Sequence, residues 1–153
     1  MKLDDADHAI LAVLRLDGRA SMTTLAQTVH ISRAGVHARV KRMTDAGVIR
    51  GFAVRTDPVL AGRHSSAYVA LTIEQASWQL VRDSLAGLAE VEHMALVGGG
   101  EFDVLLLVRA RDNRDLRRIV LEDIQAIPSV RSTRTLLIFE DFALPFSTPR
   151  ATP

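Results

Sequence analysis

The sequence predicts an α+β chain, with helices in the first third followed by two helices interleaved with four strands. Two changes along its 153 residues carry that reading. Apolar residues recur at helical spacing as far as Met43, then give way to short β-rich runs from Ala67 onward. Charge changes as well. Residues 1–60 hold nine Lys/Arg against six Asp/Glu, a balance of +3, whereas residues 61–153 hold ten against twelve, or −2.

The first helix follows from Leu3, Ile10, Leu11, Val13 and Leu14, with Asp4 or Asp5 as its start signal. Asp17-Gly18-Arg19 ends it, glycine being suited to a left-handed residue just past the last turn. Ser21 is an N-cap for a second helix carrying Leu25, Ala26 and Val29. His30-Ile31 is a tight connection, and Ser32 caps a third helix that runs to about Ala46 and stops at Gly47. On that third helix Val36, Val40 and Met43 share one sector, while Ala34, His37, Ala38 and Lys41 lie roughly opposite. Val48 to Arg55 reads as an extended wing or linker strand, broken at Asp57-Pro58.

The second half opens on a strand from Ala67 to Glu74, followed by a helix marked by Trp78, Val81, Leu85 and Leu88. Val91 to Val97 is the second strand, Gly98-Gly99-Gly100 a turn, and Phe102 to Val108 a third strand apolar enough for burial on both faces. Asp112 starts a helix carrying Leu116, Ile119, Val120 and Ile124, which Pro128 ends before a last strand from Val130 to Phe139. The order β-α-β-β-α-β is the ferredoxin-like arrangement. Two helices cover only one face of such a sheet, so burial of the other against a second copy is expected, giving a homo-oligomer.

Two helices joined by about three residues form a helix-turn-helix, whose second helix enters the DNA major groove. Arg33, Arg39, Lys41, Arg42 and Arg50 face only Asp45 between His30 and Arg50, a basic patch on a chain of net charge +1. Small Ala34 and Ala38 permit close approach to base edges. Arg33 reaches a guanine, His37 also reaches bases, and Lys41 and Arg42 suit phosphates. Ser32 and the free N–H groups of the first turn suit another phosphate. Arg39, about 60° from Val36, is expected on an acid such as Asp17 or Asp45.

The spacing Leu3-Asp4-x-x-Asp7-x-x-Ile10-Leu11-x-x-Leu14-x-x-Asp17-Gly18-Arg19 resembles the opening of the Lrp/AsnC, or feast/famine, family of prokaryotic transcription regulators. The likeness continues through Leu25-Ala26-x-x-Val29-x-Ile31-Ser32-x-x-x-Val36-x-x-Arg39-Val40-x-Arg42-Met43 and Gly47-Val48-Ile49-x-Gly51-Phe52. Gly100-Glu101-Phe102-Asp103 resembles the family's Gly-x-x-Asp turn. The resemblance, from Leu3 to Glu140, implies operator binding by the N-terminal part and dimerisation through the sheet, with further assembly, commonly to octamers. It also implies an amino-acid effector at a subunit interface, with Gly98, Gly100, Glu101 and Asp103 as contacts. Backbone N–H groups of a glycine turn can hold the effector's carboxylate, and Asp103 its ammonium.

The expected organisation is an N-terminal winged helix-turn-helix in residues 1–50, a linker strand and hinge in 51–64, and a ferredoxin-like effector-binding and oligomerisation domain in 65–142. A mobile Pro-rich tail is expected in 143–153. The expected function is a non-enzymatic, sequence-specific DNA-binding regulator without a cofactor, working in the cytoplasm at the nucleoid.

Composition narrows the alternatives. The chain is 48% hydrophobic and 24% charged, and no apolar run approaches the about 20 residues of a membrane span. The acidic start, Met1-Lys2-Leu3-Asp4-Asp5, lacks a signal-peptide core. Absence of cysteine excludes a disulfide framework, a thiolate nucleophile and a Cys-ligated zinc. His8, His30, His37, His64 and His93 show no metal-ligand spacing. Gly98-x-Gly100 lacks the third glycine of a dinucleotide loop and leads into a strand. Arg111, Arg114, Arg117 and Arg118 read as a solvated face with neighbouring acids. Two rivals share the architecture. A sirohaem-decarboxylase-like enzyme would need a tetrapyrrole pocket and no basic face, contrary to the charge between Arg33 and Arg50. A low-specificity nucleoid binder would share the DNA face but weaken uniformly when Arg33 and His37 are replaced.

Overall fold

A computed structural model describes residues 1–74 and 76–142, which form two units, Met1–Arg55 and Thr56–Phe142. The expected Pro-rich tail lies outside the described residues.

The first unit holds α1 (Asp5–Leu16), α2 (Met22–Val29) and α3 (Arg33–Asp45). Each starts on a side chain that satisfies a free N–H of the first turn. Asp4 Oδ1 accepts from the Asp7 N–H at 2.9 Å, and Asp7 Oδ2 accepts from the Asp4 N–H at 3.2 Å, a reciprocal capping box. Ser21 Oγ accepts from Thr24 N–H at 3.0 Å and Ser32 Oγ from Gly35 N–H at 3.1 Å. The turn between α2 and α3 closes on His30, whose φ of 55° is left-handed, a conformation His adopts more readily than most residues. Ile10, Leu25, Val36 and Met43 are fully buried between the helices, and Ile49 closes the core after Gly47 (φ 72°) turns the chain out of α3.

Two expectations change here. Gly18 is not left-handed. The α1 cap is extended Asp17, and what Gly18 supplies is room, since a Cβ there would lie 3.3 Å from the Phe52 ring. Val48 to Arg55, expected as a wing or linker strand, join no ladder among the described residues.

The second unit holds β1 (Ser65–Ile73), α4 (Trp78–Ala86), β2 (Val91–Leu96), β3 (Val104–Ala110), α5 (Asn113–Arg118) and β4 (Val130–Ile138). A wider π-helical turn over Ile119–Ile124 extends α5. The sheet is antiparallel, in the order β2-β3-β1-β4, with β1 paired to both β3 and β4. Its first, second and fourth strands and both helices lie within a few residues of the expected spans. Ala67, Val69, Leu71, Val104, Leu106, Val108 and Ala110 line the helix-covered face and pack on Val81, Leu85, Leu116, Ile119 and Ile124.

Within one chain, strand β3 is covered on one face only. Its side chains alternate, with Leu105 and Leu107 only half-buried, because both helices lie on the other face. Tyr68 and Leu136 are register partners on that open face and remain exposed.

Candidate functional site

The residues expected on DNA form one exposed surface of α3. Ser32, Arg33, Ala34, His37, Ala38, Lys41 and Arg42 are all exposed, while Val36 and Met43 point into the core. The helix that bears them begins on a serine cap after a two-residue turn. Ser32 uses its oxygen as that cap, leaving the hydroxyl hydrogen for an outside acceptor. Arg33, His37 and Arg50 have no ion-pair partner among the described residues. Lys41 pairs with Asp45 at 2.6 Å, both side chains well exposed, a contact worth a few tenths of a kcal/mol that a phosphate can replace.

Arg39 and Arg42 behave differently. Arg39 Nη1 donates to Asp4 Oδ1 at 2.7 Å and Asp7 Oδ1 at 2.9 Å, and Arg42 Nη2 donates to Asp7 Oδ2 at 2.6 Å. The acids that hold Arg39 are therefore Asp4 and Asp7, not Asp17 or Asp45. The reason is the capping box, which turns both carboxylates toward α3. Arg42, expected on a phosphate, is exposed and uses Nη2 on Asp7. Hydrogen bonds from Arg39 and from the Asp7 N–H hold the Asp4 carboxyl below the usual range. Burial pushes the Asp7 carboxyl upward, but the Asp4 N–H, Arg39 and Arg42 outweigh it, and its pKa also falls. Asp4 and Asp7 are functional neighbours that the sequence reading missed; their three-residue spacing before an apolar run was the available signal.

At the other candidate site the glycine turn links β2 to β3. Gly98, Gly99 and Gly100 are exposed. Gly99 has φ 78°, which calls for glycine. Gly98 and Gly100 have no such φ, and a Cβ at either would meet nothing within 4 Å. Asp103 anchors the turn to β1: Oδ2 accepts from the Ile73 N–H at 2.8 Å, and its own N–H donates to Leu71 O at 2.8 Å. One carboxylate oxygen therefore serves the fold, and Oδ1 remains. Glu101 pairs with Arg134 at 3.2 Å, and the two border a cavity of about 250 Å³ that Thr72, Phe102, Ser132 and Thr133 also line. Thr72, Ser132 and Arg134 were missed because they meet only through the β1–β4 register, which places Thr72 opposite Ser132 and Ala70 opposite Arg134. Of the Arg run expected on a solvated face, Arg111 and Arg118 pair with Asp115, which is buried, and Arg118 also with Asp123.

A helix-turn-helix with exposed, unneutralised Arg33 and His37, preceding an antiparallel βαββαβ sheet with a glycine turn, has counterparts among known proteins. The family model for winged helix-turn-helix DNA-binding matches residues 3–50, and that for the Lrp/AsnC ligand binding domain matches residues 66–144. The chain belongs to the Lrp/AsnC family. It is 36% identical over 142 residues to the HTH-type transcriptional regulator AldR of Mycobacterium tuberculosis, covering 91% of this chain and 79% of that one. The crystal structure of the M. tuberculosis leucine response regulatory protein superposes with a TM-score of 0.84 at 32% identity, covering 96% of this chain and all of that one. A Neisseria meningitidis transcriptional regulator in complex with L-Met superposes with a TM-score of 0.85 at 25% identity, over 97% of each chain. This Lrp/AsnC protein is thus a transcription regulator with a DNA-binding and a ligand-binding domain, and not an enzyme. Among the described residues no helix is long and apolar enough to cross a membrane, and no group of three or more His, Asp or Glu could hold a metal.

Proposed function

We propose that this regulator binds DNA sequence-specifically through α3 and that a small amino acid, bound beside the Gly98–Asp103 turn at a subunit interface, modulates its activity or assembly. The observation that carries the effector reading is the pair Gly98 and Gly100. Neither backbone conformation nor internal packing calls for glycine at these positions, so close approach by something outside the chain supplies the reason. The free oxygen of Asp103 is matched to an ammonium, and the exposed N–H groups of the turn to a carboxylate. The L-Met complex of the Neisseria relative supports the same ligand class.

On the DNA side, Arg33 and His37 read base edges, Ala34 and Ala38 permit the approach, and Ser32 and Lys41 contact phosphates. Residues 51–64 serve as linker between residues 1–50 and 65–142. Half-buried Leu105 and Leu107, with Tyr68 and Leu136, make the open sheet face self-complementary, which favours a homodimer that assembles further, to an octamer on the family's pattern. The two recognition helices of a dimer then address successive major grooves of a near-palindromic site.

Thermal unfolding in each of the twenty amino acids at millimolar concentration tests the effector reading. A ligand at about 100 times its Kd adds about 2.7 kcal/mol to the state it binds. One or a few amino acids raising the midpoint is the expected result. No shift with any of them overturns amino-acid sensing and leaves the DNA-binding assignment standing.

A further inference from the structure

Asp7 is a fully buried carboxylate that neither DNA contact nor effector binding uses. An acid in a DNA-binding unit repels phosphates, and burying its charge costs free energy unless it is closely paired. Besides closing the α1 capping box, Asp7 pairs with Arg39 and Arg42, both on α3.

The apolar attachment of α3 is narrow. Val36 and Met43 are its only fully buried side chains, with Val40 partly buried beside them. Such contacts hold the helix down but are non-directional, so they constrain its roll about its own axis weakly. At about 100° per residue, Arg39 and Arg42 lie about 60° and 120° from Val36 on one flank. Arg33 and His37 lie about 60° and 100° from it on the other flank. The charge-assisted hydrogen bonds to Asp4 and Asp7, 2.6 to 2.9 Å long, are directional and act on the flank away from Arg33 and His37.

We propose that Asp7, supported by Asp4, is a positioning residue for DNA recognition: by holding Arg39 and Arg42 it sets the roll of α3 and so the aim of Arg33 and His37. This rests on α3 being the recognition helix. In this arrangement Arg42 serves the protein and not the phosphate backbone.

The test uses the full chain and two probes: the duplex that wild-type protein enriches from a random pool, and a scrambled duplex of equal length and composition. Asp7→Asn removes a negative charge and keeps the side-chain shape. A charge effect alone would tighten both complexes. The expected result is equal or tighter binding to the scrambled duplex and weaker binding to the selected one, with the ratio falling about tenfold. Arg42→Gln should lower the same ratio while leaving the salt dependence of scrambled-duplex binding unchanged. Parallel changes on both duplexes for Asp7→Asn, or a salt slope reduced by about one for Arg42→Gln, would overturn the proposal. Should Asp7→Asn not fold, Arg42→Gln decides alone. Arg33→Ala and His37→Ala leaving the ratio intact would overturn the recognition-helix reading itself, and the positioning role with it.

Discussion

Asp103 Oδ2 accepts the Ile73 N–H at 2.8 Å, tying the glycine turn to the end of β1 beside the register shift between Thr72 and Ile73. On the proposed effector reading the carboxylate has two separable uses, one for each oxygen. Asp103→Asn retains a carbonyl oxygen for Ile73 but removes the negative charge that would meet an effector ammonium. The midpoint without ligand should then stay near wild type while the amino-acid-induced rise is lost. Asp103→Ala removes both and should also lower the unliganded midpoint, a buried N–H without an acceptor costing about 1–3 kcal/mol. Thermal unfolding of both variants with and without amino acids separates the two uses. An unchanged ligand shift in Asp103→Asn would remove Asp103 from the effector contacts.

Arg33 and His37 occupy the flank of α3 that no acid among the described residues neutralises. Replacing either with alanine should cost about 1–3 kcal/mol of preference between a selected duplex and its single-base variants at the contacted position. Affinity for scrambled DNA should change much less. A uniform loss across all sequences would instead describe a binder of low specificity.

The sequence made much of this legible because local signals and tertiary contacts agree. Ser21 and Ser32 cap the helices they precede, and the two-residue turn at His30-Ile31 is a local event. The succession of strands and helices along the second half followed from alternating β and α patterns. What was not legible depends on pairing over long separations. Asp7 meets Arg42 across 35 residues. Arg134 reaches Glu101 of the glycine turn only because β4 pairs with β1 in one register. Strand β3 reads as apolar on both faces because Leu105 and Leu107 are as apolar as Leu106; composition alone does not say which of its faces the helices cover.

The lowered carboxylates set the acid limit of each unit. Asp4, Asp7 and Asp115 all have folded-state pKa values below the ordinary 3.8. For Asp115 the hydrogen bonds from Arg111 and Arg118 are the main cause. The unfolded chain therefore binds more protons than the folded one just below pH 4, and stability rises with pH through that window. Their contribution is fully present above the unfolded value and is lost as pH falls through the folded ones. Trp78 is the only tryptophan and belongs to the sheet unit, so its fluorescence should report Asp115. Asp115→Asn should flatten the acid limb seen by Trp78, and Asp7→Asn the limb seen in helical circular dichroism.

The Ser32 side chain holds the first turn of α3 through one hydrogen bond, from Gly35 N–H to Oγ at 3.1 Å. Ser32→Ala should lower stability by about 1 kcal/mol, with Ser32→Asp recovering most of it as an alternative cap. On DNA the two variants should diverge. Alanine removes only the hydroxyl, whereas aspartate brings a negative charge to the point where a phosphate is expected. Ser32→Asp should therefore be the more stable protein and the weaker binder, the gap narrowing as salt rises. Chemical denaturation and duplex titration at two salt concentrations check both. Equal DNA affinity of the two variants would move the phosphate away from the start of α3.

The open sheet face is the surface proposed to meet a second copy. Leu107 is half-buried there, with Tyr68 as its register partner on β1, and Tyr68 pairs in turn with Leu136 on β4. The helix-covered core lies on the opposite face, so a change at Leu107 leaves Leu106 and Val108 in place. Leu107→Asp puts a charge at the centre of the surface expected to meet a second copy. Two such charges facing each other in a dry interface are strongly unfavourable, whereas one on a solvated sheet face is tolerated. Sedimentation should show wild-type protein as an oligomer and Leu107→Asp as a smaller species with the strand signal intact. Near-palindromic DNA should then be bound far more weakly than by wild type, because a monomer presents one recognition helix where a dimer presents two. An unchanged sedimentation profile would place the subunit contact elsewhere.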